Sequence, residues 1–283
     1  MDTMAQILDG KVCAQKVREK LKIQNKKLQQ KGIQAKLAVI QVGEDSASKI
    51  YVRNKSKACQ EIGIAFEEIL LPDSISMKEL LETIDTLNAR PDIHGILLQS
   101  PIPKGMDIQQ AFNHISPQKD VDGFHPINVG KLALGQKCFI PCTAYGIMQL
   151  LETYQIPIEG KQAVIIGRSN IVGKPLYQCL LQKHATVTIC HSRTKHLKEI
   201  TQKADILVSA VGKLNLVTAD MVKEGAVVID VGMNRKPDGK LAGDVDFEKV
   251  QSVASFITPV PGGVGPMTIA MLMHNVIQAA SQV

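Results

Sequence analysis

The chain has no tryptophan and only four tyrosines among 283 residues. Basic stretches interleaved with aromatic residues, the stacking platform of many nucleic-acid binders, are missing, so nucleic acid is not an expected partner. Long apolar runs are also missing: none approaches the roughly 18 residues that a membrane-spanning helix needs. The first twenty residues, MDTMAQILDGKVCAQKVREK, have neither an apolar core nor a small-residue cleavage site. A cytoplasmic protein without membrane partners is the expectation. The six cysteines (Cys13, Cys59, Cys138, Cys142, Cys179 and Cys190) are scattered and form no C-x-x-C pair. No metal is expected, and the thiols read as reduced and mostly packed. There is no internal repeat and no low-complexity tract.

What is present is ordinary for a soluble globular chain: 45% hydrophobic and 21% charged residues, with a net charge of +6. The length suits one large or two medium domains. Much of the positive charge lies between Lys11 and Lys31, where Val17, Leu21 and Leu28 recur at helical spacing. That is a solvated helix face.

Strand-like and helix-like segments alternate. Leu37–Val42 reads as a strand, with Asp45 or Ser46 capping a helix that carries Tyr51 and Lys55 four residues apart on one face. Ile64–Leu70 reads as a second strand, and Ser76 with Glu79 forms a capping box before an amphipathic helix. Ile93–Leu98 is a third strand, running out into Gln99-Ser-Pro-Ile-Pro103. A helix from Asp107 precedes the turn Lys119-Asp-Val-Asp-Gly-Phe-His125. Alternation of this kind predicts a mostly parallel sheet, with ligands gathered at the carboxyl ends of its strands. Tyr51, Lys55, Gln99 and Asp122 are then candidates to line one cleft.

A second alternation begins near Thr143, read as the N-cap of a helix over 145–154. The strand Ala163–Ile166 ends at Gly167 and turns through Arg168-Ser-Asn-Ile-Val to Gly173, before a helix expected from Leu176. A strand, a glycine turn and a helix N-terminus make an anion site. The spacing is not the usual G-x-G-x-x-G, because Ser169 stands where a glycine would, so an ordinary strand-to-helix turn stays open. The next strand, Ala185–Cys190, is followed by His-Ser-Arg-Thr194 with no acid to take a ribose 2′-OH. Ser192, Arg193 and Arg168 suit a 2′-phosphate instead, so a dinucleotide bound there should be NADP. Further strands fall at 205–210, 226–231 and 256–257. The tail Thr258-Pro-Val-Pro-Gly-Gly-Val-Gly-Pro-Met-Thr268 packs three prolines and three glycines into eleven residues. Such a backbone can approach a flat ligand closely. The last helix is expected from Pro266 or Met267. The domains are placed at 1–140 and 141–266, with 267–283 returning to the first.

Six motifs in order now carry a resemblance: Tyr51-x-x-x-Lys55, Gln99-x-Pro101-x-Pro103, Lys119–His125, Pro141-Cys-Thr143, Gly167-Arg-Ser-x-x-Val-Gly173 and Pro259–Thr268. Together they resemble the bifunctional methylenetetrahydrofolate dehydrogenase/methenyltetrahydrofolate cyclohydrolase family over nearly the whole chain. The resemblance implies two α/β domains, the second a Rossmann-like parallel-sheet NADP-binding domain, with the active cleft between them. It implies a homodimer joined through the cofactor domains, acting in one-carbon metabolism and purine biosynthesis. The implied reactions are NADP-dependent oxidation of 5,10-methylenetetrahydrofolate to the methenyl cation and its hydrolysis to 10-formyltetrahydrofolate. A monofunctional NAD(P)-dependent dehydrogenase of the same architecture is the alternative. By the same resemblance Lys55 is the catalytic lysine, Tyr51 packs on the folate, Gln99 tunes Lys55 and Asp122 anchors the pterin. Ser100, Pro101, Pro261, Gly262 and Gly265 border the tetrahydrofolate. Thr143, Gly167, Arg168, Ser169, Ser192, Arg193 and Met233 fall on cofactor positions. Three departures stand out: Ser100 where the family usually has leucine, Ala144 for proline, and Met233 for isoleucine.

Overall fold

The computed structural model describes residues 4–282, apart from the side chains of Ser46 and Ala47. A two-residue strand β1 (Gln6–Ile7) leads into α1 (Gly10–Gln30). There follow β2 (Lys36–Val42), α2 (Ser46–Ile62), β3 (Ala65–Leu71), α3 (Met77–Ala89), β4 (Gly95–Leu98), α4 (Ile108–His114) and α5 (Pro126–Ala133). The second series is α6 (Cys142–Thr153), β5 (Gln162–Ile166), α7 (Gly173–Gln182), β6 (Thr186–Cys190), α8 (Leu197–Thr201), β7 (Ile206–Ser209) and β8 (Val227–Asp230). A hairpin of β9 (Asn234–Arg235) and β10 (Leu241–Ala242), then α9 (Phe247–Val250), β11 (Phe256–Ile257) and α10 (Val264–Ala280) complete the chain.

These elements form two units. Gln15–Cys142 groups with the segment from Ile269 onward, and the segment up to Ala14 groups with Thr143–Thr268. The start of the chain thus groups with the second unit. β1 pairs in parallel with β11, Gln6 opposite Phe256 and Ile7 opposite Ile257, so it is an edge strand of the second unit's sheet. Two exposed residues carry no periodicity by which a sequence could announce this.

In the unit containing Lys55, β2 is flanked by β3 and β4 in a parallel sheet of order β3-β2-β4. Leu37 to Val42 are all buried, because a parallel strand is covered on both faces. One face packs Ala38, Ile40 and Val42 with Ile96 and Leu98 against Leu80, Ile84 and Leu87 of α3 and Ala111 and Phe112 of α4. Those α3 residues recur at spacings of four and three, the signature of a helix stripe. Ser76 caps α3 with a full capping box, worth about 1 kcal/mol. Asp45 caps α2 through the Ser48 N–H; Ser46, the other candidate cap, lies outside the described side chains.

In the second unit six parallel strands run in the order β1-β11-β8-β7-β5-β6. The chain passes from β5 to β6 on one side and then crosses to β7 on the other. The carboxyl ends of β5 and β7 thus flank the point where the strand order reverses, the usual ligand crevice of such sheets. Three expectations need correcting. Thr143 is not an N-cap: α6 already begins at Cys142, and the Thr143 hydroxyl meets Thr268 Oγ1 at 3.2 Å. α7 begins at Gly173 rather than Leu176, and α10 at Val264 rather than Pro266. Proline tolerates the first turn of a helix, where its missing N–H has no intrahelical partner, so Pro266 marks the turn and not the start.

Candidate active site

In the unit of Lys55 the chain goes from β2 to β3 on one side and to β4 on the other. The carboxyl ends of β2 and β4 therefore border a second reversal point. β2 feeds α2, which places Tyr51 one turn before Lys55, with Tyr51 36% exposed. β4 ends at Leu98, and the Gln99 N–H still donates to Ile40 O at 2.8 Å, which carries the ladder one residue further. Gln99 is buried. Its Nε2 donates to Ser100 O at 2.7 Å, so its Oε1 is turned to accept from Lys55 Nζ, also at 2.7 Å. A bridge between Ile96 and Asp120 extends the sheet beyond β4 and delivers Asp122 to the same edge.

The electrostatics follow from burial. Desolvation holds the Lys55 ammonium below the ordinary lysine range, against the opposing pull of Asp122 and Cys142. Desolvation likewise raises Asp122, with the Lys55 charge working the other way. Burial pushes the Cys142 thiol well up; it sits 3.8 Å from Asp122 Oδ1. Burial therefore favours the neutral amine, the form that can accept a proton, more than solvent does for an ordinary surface lysine.

The rest of the 119–125 motif is architecture. Lys119 Nζ donates to Leu87 O, Asn88 O and Arg90 O, closing the end of α3. Asp120 is buried and accepts from the Phe124 and His125 N–H groups and Asn128 Nδ2, and desolvation pushes it up to about 7. The sequence reading missed Asn275. Buried on α10, it donates through Nδ2 to Val121 O at 2.8 Å and Ile140 O at 3.0 Å, tying the Asp122 loop to the segment before Cys142. An amide among Met273, Val276 and Ile277 was the available signal.

Apart from Ser100 and Pro101, the remaining candidates lie in the other unit. Gly167 ends β5 at φ +127°, open only to glycine, and a Cβ there would come within 2.5 Å of Ala210 O after β7. Gly173 has no room either, because its Cβ would strike Gly167 O. The β5 turn is therefore drawn tight against its neighbours, as a turn that cradles a pyrophosphate must be. Ser169 Oγ accepts from the Val172 N–H at 3.1 Å. Arg168, Ser192 and Arg193 are exposed at the ends of the adjacent strands β5 and β6, and residues 190–194 hold no carboxylate. These residues fit a dinucleotide with a charged 2′ group. Met233 follows β8 and is 53% exposed. Pro261 follows a cis peptide bond, Gly262 adopts φ +110°, and Gly265 falls in the first turn of α10. In the first unit, Ser100 and Pro101 are also joined by a cis bond. Among the described residues no group of three or more His, Cys, Asp or Glu could hold a metal, and no helix is long and apolar enough to cross a membrane.

Comparison with known proteins matches two stretches of the chain to the two domains of one family. Residues 8–122 match the family model for the tetrahydrofolate dehydrogenase/cyclohydrolase catalytic domain, and residues 141–283 match its NAD(P)-binding domain. The bifunctional protein FolD of Oceanobacillus iheyensis is 57% identical over 98% of this chain and 97% of its own length. The crystal structure of the bifunctional FolD methylenetetrahydrofolate dehydrogenase/cyclohydrolase from Campylobacter jejuni is 51% identical, with a TM-score of 0.97 over 98% of this chain and 99% of that one. The Trypanosoma brucei enzyme, solved with NADP cofactor and an inhibitor, is 36% identical, with a TM-score of 0.95 over 99% of this chain and 98% of that one. The chain belongs to the tetrahydrofolate dehydrogenase/cyclohydrolase family.

Proposed function

We propose that the chain oxidises 5,10-methylenetetrahydrofolate with NADP⁺ to the 5,10-methenyl cation and hydrolyses that cation to 10-formyltetrahydrofolate, in one-carbon metabolism. The observation that carries the reading is the 2.7 Å contact between a desolvated Lys55 and Gln99 at a sheet edge that also holds Asp122. Tyr51 offers an exposed ring to the folate. Asp122 anchors the pterin, and Ser100, Pro101, Pro261, Gly262 and Gly265 border the substrate. Gly167, Arg168, Ser169, Ser192, Arg193, Thr143 and Met233 hold NADP, with the two arginines on the 2′-phosphate.

NADP⁺ when bound supplies the hydride acceptor, and the side chains contribute alignment rather than proton transfer in that step. In the second step water adds to the methenyl carbon and neutral Lys55 takes the water's proton. The bond from that carbon to N5 then breaks as the carbinol hydroxyl gives up its proton and N5 takes one up, leaving the formyl group on N10; the one proton released overall passes through Lys55 to solvent. Gln99 holds the amine in place through its oriented amide oxygen. A homodimer, a cytoplasmic location and a contribution to purine biosynthesis complete the reading, supported by the family resemblance.

The test is a spectrophotometric assay with methylenetetrahydrofolate and each nicotinamide cofactor. NADPH formation with transient methenyl absorbance that then decays enzymatically is expected. Oxidation without enzymatic decay would leave a monofunctional dehydrogenase, and no oxidation with either cofactor would overturn the proposal.

A further inference from the structure

The cofactor unit contains a buried carboxylate that the reading above does not use. Asp244 is fully buried. Its Oδ2 accepts from Ser209 Oγ at 3.0 Å, Val211 N at 2.9 Å and Gly212 N at 3.3 Å. Its Oδ1 accepts from Lys213 N at 2.8 Å and Asn234 Nδ2 at 3.1 Å. Three consecutive backbone N–H groups of the turn after β7 therefore converge on one side chain. A second carboxylate holds the first. Asp230, at the end of β8, accepts from Asp244 N and Gly232 N through Oδ1 and from Val245 N through Oδ2, each at 2.9 Å. The approach is so close that a Cβ on Gly243 would strike the Asp230 carboxylate.

The knot sits where the cofactor reading needs rigidity. Val211 follows Ala210, whose carbonyl oxygen faces Gly167 across the crevice. Gly232 and Asn234, both tied to the knot, flank Met233. A loop with three unpaired N–H groups would be drawn toward water or toward any anion nearby. With those groups committed to Asp244, the wall opposite the Gly167 turn has one conformation.

We propose that Asp244 is a positioning residue of the dinucleotide crevice, setting the turn 211–213 against the Gly167–Ser169 turn so that the cofactor meets a preformed wall. The inference rests on the reading of this unit as the NADP domain. Asparagine is the discriminating replacement. It keeps the shape but has one acceptor oxygen, and its amide N–H groups would face the N–H groups that the second oxygen now satisfies.

The experiment measures NADPH dissociation by fluorescence titration, with both activities assayed separately on wild type and Asp244→Asn; methenyltetrahydrofolate hydrolysis is run without nucleotide. The expected result is a rise of about tenfold or more in the NADPH Kd, as for one lost charge-assisted hydrogen bond. Dehydrogenase kcat/KM for NADP⁺ should fall by a similar factor relative to cyclohydrolase kcat/KM. An unchanged Kd, or equal loss of both activities, would overturn it. If Asp244→Asn does not fold, Asn234→Ala removes one donor and leaves the carboxylate. About a threefold rise in Kd is then expected, and none would count against the proposal. A wild-type protein that binds no NADPH refutes the cofactor reading itself, before any variant is compared.

Discussion

Lys55 illustrates how little in residue type separates the lysine proposed as catalytic from a surface one. It lies on α2 near Lys49, Arg53 and Lys57, all exposed, and by type alone it would be a fourth solvated charge. Burial and a single oriented acceptor change its chemistry. Because desolvation lowers its affinity for a proton, the neutral amine becomes available as pH rises through a range below that of an ordinary lysine. Cyclohydrolase turnover should therefore climb with pH below 10.5, the ordinary lysine value. A pH–rate profile whose ascending limb sits at that value would contradict it. Lys55→Ala should cut hydrolysis by about 100-fold or more while circular dichroism and melting stay near wild type. Arg168 is the matching case in the other unit. Arg168→Ala should raise KM for NADP⁺ by about tenfold, as loss of one charge-assisted bond, and leave KM for NAD⁺ nearly unchanged. Steady-state kinetics with both cofactors decides.

At the scale of elements, an ionic cluster fastens the far end of the three-stranded sheet. Glu67 on β3 takes Arg90 at 2.7 Å and Lys36 at 2.6 Å, and Asp92 takes the same two cations. Arg90 first, then Lys36, hold the Glu67 carboxyl down at about 2. A carboxyl depressed by folding stabilises the fold above its unfolded pKa of about 4.5 and loses that contribution as pH falls toward 2. The melting difference between wild type and Glu67→Gln should accordingly be largest at neutral pH and shrink below pH 4.5. Partial exposure keeps it modest.

Local signals of this size explain what was legible. β2, β4 and β5 are buried apolar runs, and Ser76 with Glu79 is a cap whose two bonds are local, so sequence shows both. The site motifs were legible as residue types at spacings. β1 was not legible, because its partner β11 lies some 250 positions away. The tie from Asn275 to Val121 and Ile140 was hidden for the same reason. Thr143 was misread because threonine before an apolar stretch looks like a cap wherever the helix actually begins.

For the whole molecule, α1 and α10 each contribute turns to both units, since the divisions fall inside them at residues 14–15 and 268–269. Unfolding either unit would fray a helix of the other, so a single thermal transition is expected. NADPH at 100 times its Kd should raise the whole transition by about 2.7 kcal/mol. Calorimetry resolving two transitions, with only one moved by the nucleotide, would show the units to be independent.

The end of α3 has a consequence for chemical labelling. All three protons of the Lys119 ammonium are engaged by backbone carbonyls, so the nitrogen has no free lone pair with which to attack an acylating reagent. Lys119 becomes reactive only when Leu87, Asn88 and Arg90 let go. Its rate of modification, set against that of the exposed Lys78 at the other end of the helix, is a clock for how often the catalytic unit opens from this side.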